Sequence, residues 1–243
     1  MVDYAIYTNQ GGRKNNEDYV RCAKHGGAYC FIICDGLGGH EFGEVASMTV
    51  AESVAKRFEE LGDSPDFLKE AFNAAQQELL DLQEQKDAKG AMKTTMVVLV
   101  VTESQIKWAH IGDSRLYHIY NDDSCFERTR DHSLVQLLAD MGEIKEEEIR
   151  TSEDRNKVLR VMGNPWSGKS FDLSPILERD ANHSFVLMTD GAWEYVYENE
   201  MLSLLASTES ADSWLHAMEK KILERADMTK TDNYSIICVK TTV

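Results

Sequence analysis

Apolar and polar residues follow two distinct patterns along the chain. Short apolar runs, some alternating and some continuous, are typical of half-buried and fully buried β-strands. They predict strands at residues 4–8, 28–34, 94–102, 105–111, 115–120, 125–127, 184–189 and 234–241. Between two of these strands, Asn121, Asp122 and Asp123 predict a hairpin turn.

Apolar residues at spacings of three and four predict the helices. These helices cover residues 43–61, 65–87, 133–140, 198–206 and 211–226. Ser64 is a typical N-cap and Pro65 a typical first helical residue, so we expect the second helix to begin there. Gly142 is expected to close the third helix. Residues 143–157 are polar with weak periodicity, which is typical of a surface loop or a mobile flap.

The order of the predicted elements bounds the fold class. Strands are followed by two helices, then by strands, two more helices and a final strand. A parallel sheet would need a regular alternation of strand and helix, which this order lacks. We therefore predict an α+β fold in which antiparallel sheets carry helices on their outer faces.

The composition bounds the class of protein. With 243 residues, 42% hydrophobic residues and three prolines, the chain suits one large domain or two small ones, with no visible linker. The net charge of −16 argues against nucleic acid as a partner, because a phosphate backbone would be repelled. A phosphorylated substrate would need local cations, either metal ions or a specific arginine.

Targeting signals and cysteines favour a cytoplasmic protein. Residues 1–4 lack the basic and apolar regions of a signal peptide, and the longest apolar stretch, residues 96–101, is too short to span a membrane. The five cysteines form no CxxC pair, and three lie in apolar strand patterns. We interpret them as reduced core residues.

Acidic residues at strand ends are the most informative chemical feature. Asp35 and Asp190 each follow an apolar run and precede a glycine, and Asp232 precedes the last strand. Buried carboxylates are costly without a cation. Carboxylates that converge at one sheet edge therefore indicate a site for a hard divalent metal. Asp-Gly is also a common hairpin pair, so each dipeptide taken singly is compatible with a turn.

Further polar segments surround these acids in a fixed order. They are Arg13…Asn16-Glu17-Asp18, Asp35-Gly36-Leu37-Gly38-Gly39-His40, Gly90…Thr94-Thr95, Gly112-Asp113-Ser114-Arg115, Asp131-His132-Ser133, Asp190-Gly191 and Asp232-Asn233. The glycine-rich loop is not a Walker A loop, because no Lys-Ser/Thr follows its last glycine. The ordered set covers nearly the whole chain and resembles the metal-dependent PPM or PP2C-type Ser/Thr protein phosphatases, in particular their bacterial branch.

The resemblance implies a fold and a metal site. The fold is a four-layer α-β-β-α sandwich, two antiparallel sheets flanked by helix pairs, in a single domain over residues 1–243. The cofactors are two Mn²⁺ or Mg²⁺ ions, with a third, weaker site in bacterial members. The residues implied in metal binding are Asp35, Gly36, Asp190, Asp232 and Asp113, with Glu17 and Asp18 acting mainly through water.

Roles in the reaction follow from the same resemblance. Asp35 bridges the two ions, Gly36 contributes its carbonyl, and Asn233 orients neighbouring acids. Arg13 binds the substrate phosphate. The implied reaction is attack of a metal-activated water on phosphoserine or phosphothreonine, without a phosphoenzyme. Arg13, Asp35 and Asp190 are the expected catalytic residues.

Two positions depart from the family pattern. Leu37 stands where eukaryotic members often carry a histidine proposed as general acid, and His40, nearby, is expected to be a structural loop residue. Glu194 stands where members often carry an aspartate, which puts the third metal site in doubt. His132 and Ser133 are interpreted as structural. The tryptophans interpreted as packing residues are Trp166, Trp193 and Trp214.

Residues 141–162 are expected to form a flap beside the active site and to influence substrate choice. The predicted partners are phosphorylated proteins and a bacterial Ser/Thr kinase whose action the enzyme reverses, with no nucleic acid and no membrane. A monomer is expected. Two other functions stay open: an inactive scaffold on the same fold, against which the intact Asp35, Asp190 and Asp232 count, and an enzyme for a small phosphorylated molecule.

Overall fold

The computed structural model describes residues 1–37, 42–120, 125–166, 168 and 170–242. Within them the strands are β1 (Val2–Asn9), β2 (Asp18–His25), β3 (Ala28–Asp35), β4 (Met96–Val101), β5 (Gln105–Ile111), β6 (Arg115–Tyr120), β7 (Cys125–Arg128), β8 (Asp172–Leu173), β9 (Leu177–Glu178), β10 (His183–Met188) and β11 (Tyr234–Thr241). The α-helices are α1 (Gly43–Leu61), α2 (Phe67–Gln85), α3 (Leu134–Asp140), α4 (Asp190–Trp193), α5 (Glu198–Ser207) and α6 (Ala211–Arg225). A 3₁₀ helix covers Glu146–Thr151.

The strands form two antiparallel sheets that pack face to face. Sheet I has the order β1-β11-β10-β6-β7, and sheet II has the order β2-β3-β4-β5-β8, with β9 also paired to β5. Helices α5 and α6 cover the outer face of sheet I, and α1 and α2 cover that of sheet II. The predicted α+β class and the four-layer sandwich are confirmed.

Three apolar layers explain why the central strands are continuously hydrophobic. In β3, Cys30 and Ile32 point to the layer under α1 and α2, whereas Phe31 and Ile33 point to the layer between the two sheets. Successive side chains of a strand alternate between faces, so a strand covered on both sides must be apolar throughout. Burial of this surface is the main favourable term in folding.

Helix α1 agrees with its prediction at both ends, whereas α2 begins later than expected. The α1 residues at helical spacing, Ala46, Val50 and Val54, are fully buried against sheet II. Helix α2 begins at Phe67, after Asp66, and has no side-chain cap. Ser64 does not cap it. Instead, the Ser64 carbonyl accepts from the Phe67 N–H at 3.1 Å, which closes a turn that leads into the helix.

Some elements were missed or changed. Strand β2 was not predicted, because it is an edge strand that mixes exposed charged residues with half-buried apolar ones. Strands β8 and β9 and helix α4 span only two to four residues each, which gives no periodicity to detect. The segment from 141 to 162, predicted as a loop or flap, contains the 3₁₀ helix. The hairpin turn predicted at 121–123 and His40 lie outside the described residues.

Candidate metal centre and active site

Four aspartates meet at one end of the sandwich. In sheet II, Asp18 begins β2 directly opposite Asp35, which ends β3. In sheet I, Asp190 follows β10 and Asp232 precedes β11. Because β10 and β11 pair antiparallel, the end of one and the start of the other lie at the same edge. The Asp190 and Asp35 carboxyls lie close enough for each to influence the pKa of the other, so the acids of the two sheets converge.

The main chain at Asp35 is fixed by two threonines at the entrance to β4. The Asp35 N–H donates to Thr95 Oγ1 at 3.0 Å. The Asp35 carbonyl accepts from Thr94 Oγ1 at 2.8 Å and from the Thr95 N–H at 2.9 Å. These bonds hold Asp35 in one orientation relative to the neighbouring strand.

Gly36 is required by a close approach of main-chain segments. Its N–H donates to the Glu17 carbonyl at 3.0 Å. A Cβ at this position would lie 2.8 Å from the Glu17 oxygen and closer still to the Gly43 oxygen. Since both are backbone atoms, no side chain could be accommodated without displacing the loop. The next residue, Leu37, is half-buried and has no group that could act as an acid.

Asp18 joins the two sheets and keeps one oxygen without a partner. Its Oδ2 accepts from Thr189 Oγ1 at 2.8 Å and from Ser235 Oγ at 2.7 Å, both in sheet I or at its edge. Its Oδ1 is buried and has no hydrogen-bond partner. Burial raises the pKa of Asp18 to about 8, against the effect of the two hydroxyl bonds. A buried acceptor without a donor is costly, and a cation or a cation-held water would satisfy it.

Burial and mutual repulsion disfavour ionisation throughout the cluster. Burial raises the pKa of Asp190 to about 7, and the charges of Asp232 and Glu194 add to the effect. The pKa values of Asp35 and Asp113 are raised well above their ordinary range by burial and then by the charge of Asp190. Close carboxylates cannot all ionise without cations between them.

The residues present fit a hard divalent cation. The donors are carboxylate and backbone oxygens, which Mg²⁺ and Mn²⁺ prefer. The unpartnered Asp18 Oδ1 and the raised pKa values are what such a site shows when its own charges have no counter-ion. The sequence-predicted ligands Asp35, Asp190 and Asp232 are thus brought together with Asp18.

Arg13 and Glu17 of the N-terminal loop, together with Asn233, lie beside the acids. Arg13 Nη2 lies 2.5 Å from Asp232 Oδ2. Asn233 Oδ1 accepts from the Glu17 N–H at 2.8 Å, and its Nδ2 donates to the Gln10 carbonyl at 2.7 Å. Asn233 therefore holds the backbone of the loop that carries Glu17, and its own N–H donates to Asp232 Oδ1 at 2.8 Å. Its role in orienting neighbouring acids stays a prediction. Burial raises the pKa of Glu17, and the charge of Glu44 adds to the effect.

Asp113 is buried on the turn between β5 and β6. It lies close enough to Asp190 for the charge of Asp190 to raise the pKa of Asp113. The Asp113 carbonyl accepts from Trp193 Nε1 at 2.9 Å. Trp193 also stacks on Arg115, with 3.6 Å between the guanidinium carbon and the ring centroid. The tryptophan predicted to pack thus also links helix α4, which begins at Asp190, to the Asp113 turn.

Glu194 lies near the cluster and is paired with an arginine. Its Oε1 lies 2.5 Å from Arg155 Nε, in the segment predicted as a flap. Burial raises the pKa of Glu194, and Arg155 opposes that rise. A cleft of about 100 Å³ opens here, and its walls combine acidic and basic groups. Its lining includes Arg13, Arg155, Asn156, Asp190, Glu194, Lys230 and Asp232.

Sequence reasoning missed several residues of the site. Thr189 and Ser235, which bind Asp18, are ordinary residues beside strand ends and give no signal by themselves. Arg155 lies in the predicted flap, but its pairing with Glu194 depends on the fold. Among the cysteines, Cys30, Cys34 and Cys238 are buried as predicted, whereas Cys125 is exposed, because β7 is the edge strand of sheet I.

Comparison with known proteins agrees with this geometry. The family model for protein phosphatase 2C matches residues 9–230. A putative protein phosphatase 2C-type of Streptococcus pyogenes serotype M6 is 34% identical over 206 residues, which cover 82% of each chain. The serine/threonine protein phosphatase PstP of Mycobacterium tuberculosis is 30% identical over 88% of this chain and 40% of its own, longer chain.

Solved structures show the same architecture. The serine/threonine phosphatase Stp1 from Staphylococcus aureus superposes with a TM-score of 0.86 at 29% identity, over 100% of this chain and 96% of that one. The catalytic domain of PstP in complex with two manganese ions superposes with a TM-score of 0.82 at 26% identity, over 100% and 99%.

The chain therefore belongs to the protein phosphatase 2C family, a metal-dependent class, and is a protein phosphatase. The family predicted from the ordered polar segments is confirmed. Across the described part of the chain, no helix is both long enough and apolar enough to cross a membrane.

Proposed function

We propose that this phosphatase removes phosphate from phosphoserine and phosphothreonine side chains of proteins. The observation that carries the proposal is the meeting of Asp18, Asp35, Asp190 and Asp232 beside Arg13 at one end of the sandwich. The relatives named as serine/threonine phosphatases support the substrate class. Proteins phosphorylated by a Ser/Thr kinase would be its partners.

The chain's acids would hold the cofactor ions, which we propose to be Mn²⁺ or Mg²⁺. Asp35, Asp190 and Asp232, with the carbonyl of Gly36, would bind two ions, and Asp113 a third. Glu17 and Asp18 would act mainly through water. When bound, the ions supply charge neutralisation and lower the pKa of a water so that it can react near neutral pH.

Arg13 would bind the substrate phosphate. Its guanidinium is a planar fork that matches phosphate oxygens, and in this structure it contacts a carboxylate, which has similar geometry. Because Arg13 is about half exposed, it can exchange that contact for a phosphate. Leu37 offers no proton, so the leaving oxygen would be protonated by water.

We propose a single domain over residues 1–243, in which residues 141–162 form the flap. Arg155 and Asn156 of this segment line the cleft together with Arg13 and Asp190, which supports a flap that contacts substrate. Exchange of this segment would then change the preference among phosphopeptides. A monomer stays a prediction that size-exclusion chromatography would test.

The test is hydrolysis of a phosphothreonine peptide by the purified chain with Mn²⁺, with Mg²⁺ and with EDTA. We expect activity with a divalent ion, none with EDTA, and none from Asp190→Asn. Asp66→Asn makes the same chemical change at an exposed residue before α2 and should keep full activity. Folded protein without activity under any metal would refute the proposal.

The two alternatives predict different results in the same assay. An enzyme for small phosphorylated molecules would hydrolyse small phosphate esters with a higher kcat/KM than phosphopeptides. A scaffold would bind phosphopeptides without turnover. The ratio of kcat/KM between a phosphopeptide and p-nitrophenyl phosphate, measured with one metal at one pH, separates the two enzymes, and phosphopeptide binding without turnover would identify the scaffold.

A further inference from the structure

His132 connects the turn that carries Asp113 with the end of the predicted flap. The Gly112 N–H points at His132 Nδ1, with a distance of 3.2 Å between the nitrogens. The His132 N–H donates to the Gly112 carbonyl at 2.8 Å. The His132 carbonyl accepts from the Leu159 N–H at 2.7 Å. One buried residue thus bonds to both the turn that carries Asp113 and the end of the predicted flap.

The bonding partners define the tautomer of His132. A backbone N–H can only donate, so the Nδ1 that faces Gly112 must carry a lone pair and no proton. The neutral ring therefore carries its proton on Nε2. That nitrogen is buried without a hydrogen-bond partner, and Asp172 Oδ2, at 3.7 Å, is too far for a hydrogen bond.

This tautomer argues against a separate metal centre around His132. His110, His132 and Asp172 place one potential ligand atom each within 4.8 Å of one another. A metal on His132 Nε2 would require the ring proton to move to Nδ1. There it would face the Gly112 N–H, and two donors would oppose each other. The His132 ring is therefore better suited to hold the turn than to bind an ion.

The turn itself has little freedom. Gly112 has a φ of +104°, which favours glycine, and a Cβ there would lie 2.6 Å from Thr95 Cβ. Thr95 Oγ1, which accepts from the Asp35 N–H, is also 2.7 Å from Ser114 Oγ. The turn over residues 112–114 therefore packs on the same threonine that fixes Asp35. A change at the Gly112 amide would be transmitted to the Asp113 carboxylate.

We propose that His132 is a positioning residue for Asp113. Its Nδ1 holds the Gly112 amide and so sets the orientation of the carboxylate that would bind the third ion. The inference rests on the proposed function only in assigning that ion to Asp113.

Two substitutions separate this role from simple packing. The amide oxygen of His132→Asn lies at the position of Nδ1, whereas the amide of His132→Gln reaches the position of Nε2. Both remove the ring and place a polar side chain in the same buried space. Only the asparagine can still accept from Gly112. We expect His132→Asn to keep the third ion and His132→Gln to weaken it about tenfold or more, the range for residues that orient metal ligands.

The measurement is Mn²⁺ binding to the metal-free full-length chain by calorimetry, with thermal unfolding recorded alongside. The stronger sites should be unchanged in both variants. His118→Asn, which removes a buried histidine in sheet I, should lower the unfolding temperature without changing Mn²⁺ binding. Equal loss of the third ion in both His132 variants would overturn the proposal, as would a wild-type chain that binds only two ions.

A second measurement needs no variant. Long-range ¹H–¹⁵N correlations of the wild-type chain report which ring nitrogen of His132 carries the proton. A proton on Nε2 supports the proposal, and a proton on Nδ1 overturns it. Neither result depends on turnover. Failure of the phosphatase assay would refute the proposed function instead and would leave the tautomer readout intact.

Discussion

Arg13 Nη2 lies 2.5 Å from Asp232 Oδ2, so the cation expected to bind substrate phosphate contacts a carboxylate expected to bind metal. Both side chains are substantially exposed, at 52% and 39%. An exposed ion pair of this kind contributes only about 0–1 kcal/mol. A metal ion could therefore replace Arg13 as the partner of Asp232 at little cost in free energy. Arg13 would then be released to bind the phosphate.

Replacement of Arg13 should weaken substrate binding and turnover together. A charged hydrogen bond to phosphate contributes about 1.5–3 kcal/mol, so Arg13→Ala should lower kcat/KM about tenfold to a hundredfold. Arg13→Lys should recover part of the loss, since lysine keeps the charge without the fork. Arg21 lies on β2 and pairs with Glu52 and Glu59 of α1. Arg21→Ala should leave the steady-state kinetics unchanged.

The metal-free protein should lose stability as pH rises. The pKa of Asp18 is about 8 in the folded chain against an ordinary 3.8. The folded state therefore holds a proton that the unfolded state has released. The stability contribution of this group is complete below about pH 4 and is lost as pH rises through about 8, at about 1.4 kcal/mol per pH unit. Urea denaturation in EDTA at about pH 5 and about pH 8 measures the slope.

Asp18→Asn provides the test of that assignment. The amide does not ionise, so the variant in EDTA should show a smaller slope and should exceed the wild-type stability at about pH 8. Asp66→Asn should show the wild-type slope. An unchanged slope in Asp18→Asn would mean that other groups carry the pH dependence. Added Mn²⁺ should reverse the wild-type trend, because metal binding needs ionised ligands.

The Arg155–Glu194 pair should oppose metal binding near Asp190. Arg155→Ala leaves Glu194 without its counter-ion, so a cation would take that place. Such a pair contributes up to about 1 kcal/mol of free energy, which the bound metal no longer has to overcome in the variant. The Mn²⁺ concentration that gives half-maximal activity should therefore fall about twofold to fivefold. Lys157→Ala, which breaks an exposed pair with Asp154 in the same segment, should not change it. No change in Arg155→Ala would place Glu194 outside the metal site.

Two buried tryptophans allow a matched comparison. Trp193 Nε1 donates to the Asp113 carbonyl, and Trp214 Nε1 donates to the Met201 carbonyl at 3.0 Å. Trp193→Phe and Trp214→Phe each leave a buried carbonyl without its donor, which costs about 1–3 kcal/mol. Urea denaturation should therefore show a similar loss in the free energy of unfolding for the two variants. Only Trp193→Phe should weaken Mn²⁺ binding, because only its partner belongs to the proposed site.

The sequence predicted the long elements and the acids at strand ends. Helix α1 and strand β11 agree with their predictions at both ends, because a buried helical stripe gives a clear periodicity and a strand buried on both faces gives a continuous apolar run. Strand β2 was missed because it lies at a sheet edge, where exposed charged residues and half-buried apolar residues follow one another without a regular alternation. Ser64 was predicted to cap α2, but local turn geometry prevailed over residue preference.

Contacts between distant segments were beyond the sequence pattern. Thr189 and Ser235 bind Asp18 from 171 and 217 residues away, and nothing near them in the sequence identifies these hydroxyls. The Arg155–Glu194 pair likewise joins two segments that are distant in the sequence. The identity of the acids was predictable because a metal site requires particular residue types, whereas their supporting contacts require only a hydrogen-bond donor in the right place.

The end of the segment predicted as a flap, residues 141–162, is attached by main-chain bonds. The Leu134 N–H donates to the Lys157 carbonyl at 2.9 Å, and the Met162 N–H donates to the Thr94 carbonyl at 2.9 Å. Such bonds are available to almost any residue, so the path of the main chain at these two points does not depend on which side chain Lys157 carries. At the exposed Lys157 the side chain can thus diverge in evolution, while the main chain keeps its path and the aspartates keep their positions.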